Sequence, residues 1–215
     1  MNKLAKILTL SLAVAGIALA APASTSAFTL QLVTAGSSGY IGAAWFQQVD
    51  SQSTGTGVID PFVRMQNSGI EYGFNTDYRP LTGDLQHVNS SAQFTHSLRV
   101  NDFGAVAHPV TGGSAIRVLL DINQTSANPY LSLDELKIFT ADSPDLSSNA
   151  SLFAQNLIYD MGAGNKIYLN YGLNAGSGSG DMFAYLPYSM FAGLGDKYFY
   201  LYSKFGATGM DGDFN

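Results

Sequence analysis

Two stretches of this chain alternate with period two. In residues 166–174 (Lys-Ile-Tyr-Leu-Asn-Tyr-Gly-Leu-Asn), Ile167, Leu169, Tyr171 and Leu173 share one face. In residues 198–205, Phe199, Leu201, Ser203 and Phe205 share one face, and Tyr198, Tyr200 and Tyr202 share the other. Period two is the side-chain repeat of a β-strand, and such alternation marks a sheet with one buried side. Tyrosine suits a half-exposed face, because the ring packs while the hydroxyl stays wet. Further β-type runs cover residues 40–49, 62–66, 94–100, 115–123, 131–139, 157–161 and 182–186, separated by Gly, Asn, Asp, Ser and Pro. About nine short strands predict an all-β fold, a jelly-roll-like sandwich of two antiparallel sheets. An up-and-down barrel is the alternative. Helical signals amount to single turns near 148–155 and 187–192, and residues 132–136 read as either a capped turn or a strand.

The first 27 residues read differently. Lys3 and Lys6 precede an uncharged apolar run from Ile7 to Ala20, and Thr25-Ser26-Ala27 fits the small-x-small pattern of a cleavage point. This is the form of a secretory signal peptide. The apolar run is shorter than the roughly 20 residues that span a bilayer, and no later stretch reaches that length. The expected organisation is therefore a signal peptide over 1–27 and one sandwich domain over 28–215, exported after cleavage near Ala27. Removal of the leader takes two lysines with it and moves the net charge from −6 to −8.

Composition excludes several chemistries. With no cysteine, disulfides, thiolate metal sites and cysteine nucleophiles are all impossible. An acidic chain with only four arginines lacks the clustered cations that phosphate contacts need, so no nucleic-acid partner is expected. His87, His96 and His108 show no zinc-binding spacing. There is no Gly-x-Ser-x-Gly elbow and no Walker loop, so no catalytic motif is found. Carboxylates for hydrolysis that meet only in the fold remain one function class. Trp45, the single tryptophan, reads as a core or cross-strand residue in preference to a sugar platform, and a lone tryptophan argues against a cleft that grips sugars.

Two sets of residues stand out as candidate sites. Asp121 and Asn123 lie on one side of a strand end, Asp134 follows a turn-like connection, and Asp181 directly follows the Gly-Ser-Gly-Ser-Gly stretch at 176–180. Calcium takes six to eight hard oxygens, mostly from loops, which makes these four the calcium candidates. Turn chemistry is the competing role for Asp and Asn. Asp211, Asp213 and Asn215 begin like an EF-hand loop, without its later ligands. The second set is Tyr198, Tyr200 and Tyr202, an aromatic face that could bind an apolar ligand or a glycan.

Residues 54–66 (Thr-Gly-Thr-Gly-Val-Ile-Asp-Pro-Phe-Val-Arg-Met-Gln), 71–77 (Glu-Tyr-Gly-Phe-Asn-Thr-Asp), 119–124, 131–139 and 174–182 resemble stretches of bacterial secreted proteins of the PEP-CTERM/exosortase class. The resemblance covers most of residues 40–212. It implies an exported surface or biofilm-matrix β-protein without enzymatic activity, with extracellular polysaccharide or matrix components as partners. A carbohydrate-binding module, calcium-dependent or not, is the alternative function. The family's sorting tail of Pro-Glu-Pro, apolar helix and basic end does not appear before Asn215. The expectation is a shortened chain or a released member.

Overall fold

A computed structural model describes residues 27–49, 59–176 and 178–207. Residues 1–26, 50–58, 177 and 208–215 lie outside the described residues, and with them nearly all of the expected signal peptide and the expected start of a calcium loop at 211–215.

The chain forms β1 (Thr29–Leu32), β2 (Ser38–Ile41), β3 (Ala44–Gln48), β4 (Glu71–Phe74), β5 (Leu98–Arg99), β6 (Val106–Ala107), β7 (Ser114–Leu120) and β8 (Tyr130–Ala141). A five-residue helix α1 (Asn149–Phe153), β9 (Asn156–Asp160), β10 (Lys166–Asn170), β11 (Met182–Pro187) and β12 (Tyr198–Phe205) follow. These make two sheets. The larger runs β1-β10-β8-β12-β4, with β9 on β8 and β5 on β12, and the smaller runs β2-β3-β11-β7-β6. Every pairing is antiparallel except β1 with β10. The all-β sandwich is therefore present, with 12 strands in place of about nine.

The strands differ from their expected bounds for local reasons. Run 40–49 is two strands, because Gly42, at φ 59°, turns the chain between the paired residues Ile41 and Ala44. Glycine enters that hairpin conformation without a Cβ penalty. Run 62–66 contributes only an isolated bridge, Met65 to Val88. Run 167–174 leaves the strand at Asn170, whose Oδ1 accepts from the Gly172 N–H and starts a 3₁₀ turn. Residues 132–136 are strand, within β8. The expected turn near 148–155 is α1, capped by Ser148 and Ser151 in reciprocal hydrogen bonds.

The faces of the sheets decide where a site can be. Between the sheets lies a core that includes Phe46, Ile116, Ile138, Ile167, Phe191 and Phe199, all almost fully buried. The Tyr159 hydroxyl ties the sheets together by donating to the Ile41 carbonyl at 2.9 Å. A second cluster covers the other face of the larger sheet. There, Leu85, Val88 and α1's Leu152 pack on Phe74, Phe139, Tyr200 and Tyr202. Arg79 organises this cover by donating to the carbonyls of Thr76, Tyr78, Ser90 and Thr95. The larger sheet is thus apolar on both faces. The outer face of the smaller sheet carries neither cluster.

Residues 72–75 (Tyr-Gly-Phe-Asn) and 171–174 (Tyr-Gly-Leu-Asn) each end in an asparagine with the same structural role. Both asparagines are buried, and the side-chain nitrogen of each donates to two backbone carbonyls. Asn75 holds Phe199 and His96, and Asn174 holds Val49 and Gly180. Each amide joins chain segments where regular strand pairing stops.

Candidate functional site

The outer face of an antiparallel sheet is normally polar when it meets water. On the smaller sheet it is aromatic. The register places Tyr40 opposite Trp45, Trp45 opposite Tyr185, and Tyr185 opposite Arg117, in one row across four strands. Phe183 lies in the next row, between Gln47 and Leu119. The rings touch: Tyr40 and Trp45 have centroids 4.6 Å apart, and Phe183 and Tyr185 5.9 Å. The Arg117 guanidinium sits 4.5 Å from the Phe183 centroid, a cation–π contact.

His108, after β6, completes the platform. It stacks on Tyr40 at 5.9 Å with ring planes 7° apart and meets Trp45 and Tyr185 at an angle. Its Nδ1 accepts from the N–H groups of Val110 and Thr111, which orients the ring. Tyr185 and His108 are buried, Trp45 and Phe183 are half-buried, and Tyr40 is 42% exposed. A shallow groove of about 370 Å³ runs along the Tyr40 side, lined also by His108, Thr111, Ser114, Tyr188 and Ser189. Flat rings flanked by Gln47, Ser38, Arg117 and serine hydroxyls can stack on the C–H face of a sugar and bond its hydroxyl edge.

The tyrosines expected to bind a ligand lie elsewhere. Tyr200 is fully buried and Tyr202 is 5% exposed, both under the cover of the larger sheet. The Tyr200 hydroxyl donates to the Ser143 carbonyl at 2.7 Å and accepts from the Leu146 N–H. Phe153 packs edge-on against Tyr202. Tyr198 is half-buried beneath the Arg99 guanidinium, which lies 4.5 Å from its ring and also bonds its hydroxyl. The alternation is that of a strand, β12, but its tyrosine side is a second core. Burial raises the hydroxyl pKa of Tyr200 and Tyr202 far above the ordinary phenol range.

The four calcium candidates do not converge. Asn123 is exposed beyond the end of β7. Asp134 lies on β8 in the larger sheet, where its Oδ2 accepts from the Ser132 hydroxyl and the Ala207 N–H. Only Asp121 and Asp181 come together, because β7 and β11 pair with Leu120 opposite Met182. Asp181 Oδ2 accepts from the Ile122 N–H at 2.7 Å, and Asp121 Oδ2 from the Gly178 N–H at 2.9 Å. Burial pushes the Asp181 carboxyl up to about 7, and the neighbouring Asp121 charge adds to the rise. Asp121 is raised less simply: burial lifts it, while the Gly178 N–H and the Arg64 charge pull it down. Among the described residues, no group of three or more His, Asp and Glu forms a metal cluster. His87 and His96 sit apart, the first with its Nδ1 accepting from the Tyr72 N–H.

Comparison with protein-family models, with curated proteins and with solved structures gives no match. No described helix is long and apolar enough to cross a membrane.

Proposed function

We propose that this chain is an exported, non-enzymatic bacterial surface or matrix protein of the PEP-CTERM/exosortase class it resembles, which binds extracellular polysaccharide through the outer face of its smaller sheet. The observation that carries the reading is the row Tyr40–Trp45–Tyr185 on a face that neither apolar cluster covers. Tyr40 is exposed and Trp45 and Phe183 are half-exposed on this face, and apolar surface left open to solvent marks a binding site or an interface. Among the residues described on this face, Arg117 is the only formal charge, which favours a neutral or weakly acidic glycan over a polyanion. The leader supports export, and the resemblance supports a surface or matrix setting.

A hydrolase is the reading the geometry favours least. A catalytic carboxylate must reach its substrate. The pair Asp121 and Asp181 spends both Oδ2 atoms on backbone N–H groups, and its Oδ1 atoms, without a hydrogen-bond partner, are shut off from the surface, where a polymer chain cannot reach them although a small ion held within the fold can.

Affinity electrophoresis in native gels cast with soluble polysaccharides, with pull-downs on insoluble ones, tests the proposal. Retardation by at least one glycan is expected, with no release of reducing ends during overnight incubation. Migration unaffected by every glycan, together with no retention on the solids, contradicts the reading.

A further inference from the structure

The end of β7 and the start of β11 carry two carboxylates that polysaccharide binding does not use. Asp121 directly follows β7 and Asp181 directly precedes β11. Asp181 is only 4% exposed, so it is buried as deeply as many core residues. Each carboxylate spends Oδ2 on a backbone N–H. The Oδ1 atoms of both are buried and have no hydrogen-bond partner. A buried, unpartnered carboxylate oxygen is strongly destabilising unless something neutralises it. Here two such oxygens occur on neighbouring residues, each within electrostatic reach of the other. Among the described residues, Arg64 is the cation that acts on the pair, and it acts on Asp121.

The surroundings are built to hold this end together. The Asp181 N–H donates to the Leu120 carbonyl at 2.7 Å, and its own carbonyl accepts from the Val49 N–H at 3.0 Å. Asn174 then bridges the carbonyls of Val49 and Gly180. Three chain segments thus converge on the two carboxylates. The glycine-rich connection wraps closely: a Cβ on Gly180 would lie 2.3 Å from the Leu119 side chain. Both side-chain donors are carboxylate oxygens, which suit a hard cation; among the described residues no third His, Asp or Glu joins them, so backbone carbonyls and water would fill the other positions.

We infer that Asp121 and Asp181 bind one divalent cation, calcium, through their two free Oδ1 atoms. Calcium tolerates irregular oxygen shells and accepts carbonyls and water in its remaining positions, whereas magnesium demands a near-octahedral shell. With two carboxylates the affinity falls in the range of extracellular modules, at about 10⁻⁴ to 10⁻³ M. The ion joins the end of β7 to the start of β11.

Thermal unfolding of the full chain in chelator, then with 10 mM calcium or magnesium chloride, tests this. Calcium is expected to raise the melting temperature by about 3–8 °C, from the ratio of ligand to dissociation constant in a domain of this size, and magnesium by much less. Asp121→Asn and Asp181→Asn are expected to lose that rise. Trp45→Ala is expected to keep it, which separates this site from the polysaccharide reading. Equilibrium dialysis of the unmutated chain is expected to find one calcium per chain, which keeps the test open even if a variant fails to fold. No calcium-dependent shift and no bound ion overturn the inference. So does an equal shift in the Asp181→Asn chain. A melting temperature that rises when pH falls from 7 to 5 and ignores calcium also overturns it, because the pair would then hold a proton.

Discussion

Replacing Asn75 with alanine is expected to cost about 2–5 kcal/mol of folding stability, from two backbone groups left buried without partners. On one side, β12 pairs with β8 along its whole length. On the other, β4 covers Tyr202 to Phe205 and β5 covers Tyr198 and Phe199. The Asn75 amide fills the gap between them: its Nδ2 donates to the Phe199 carbonyl at 2.9 Å and its Oδ1 accepts from the Leu201 N–H at 2.7 Å. The residue is fully buried, so water cannot take its place. Neither Asn75→Leu nor Asn75→Asp is expected to rescue the loss. Leucine offers no polar atom, and aspartate sets a carboxylate against the Phe199 carbonyl. Urea unfolding checks this through the midpoint at constant m-value. A loss below about 1 kcal/mol, the worth of one ordinary hydrogen bond, contradicts the assigned role.

The second large effect is expected at Tyr200. Truncation to alanine removes a fully buried ring packed on Phe74 and is expected to cost about 3–5 kcal/mol. Tyr200→Phe keeps the ring, loses the bond to the Ser143 carbonyl, and is expected to cost about 1 kcal/mol. Neither change is expected to alter glycan retention of the folded protein, measured below its melting temperature. Loss of retention at full stability would return Tyr200 to the role of a ligand contact.

The fold class was legible because β8, β10 and β12 are long enough for their side-chain period to show. The strand count was not. β4 is four residues long and includes Gly73, which reads as a strand breaker. The fold needs that glycine, because a Cβ there would lie 2.3 Å from the Val88 side chain. β6 has two residues, too few for any period. On β12, alternation separated the two faces correctly, but what covers a face is set by distant residues such as Leu85 and Leu152. The tyrosines therefore looked half-exposed.

The candidate sites show the same limit. Asp121 and Asp181 are 60 positions apart, and the β7–β11 register joins them. Nothing local distinguished them from Asn123 or Asp134, which carry the same oxygen chemistry. Trp45 was legible as a cross-strand residue. Its partners Tyr40 and Tyr185 were not, because the first needed the Gly42 turn inside an apparent single strand and the second needed long-range pairing.

The most direct measurement is the affinity of a Tyr40→Ala/Trp45→Ala double variant for whichever polysaccharide retards the unmutated chain. Two central aromatic contacts are each worth about 1–2 kcal/mol in a binding interface, so the dissociation constant is expected to rise at least tenfold. The Tyr200→Phe chain serves as the control that keeps its binding. Unchanged affinity in a double variant that still unfolds cooperatively would contradict the assignment of the smaller sheet's outer face as the binding surface.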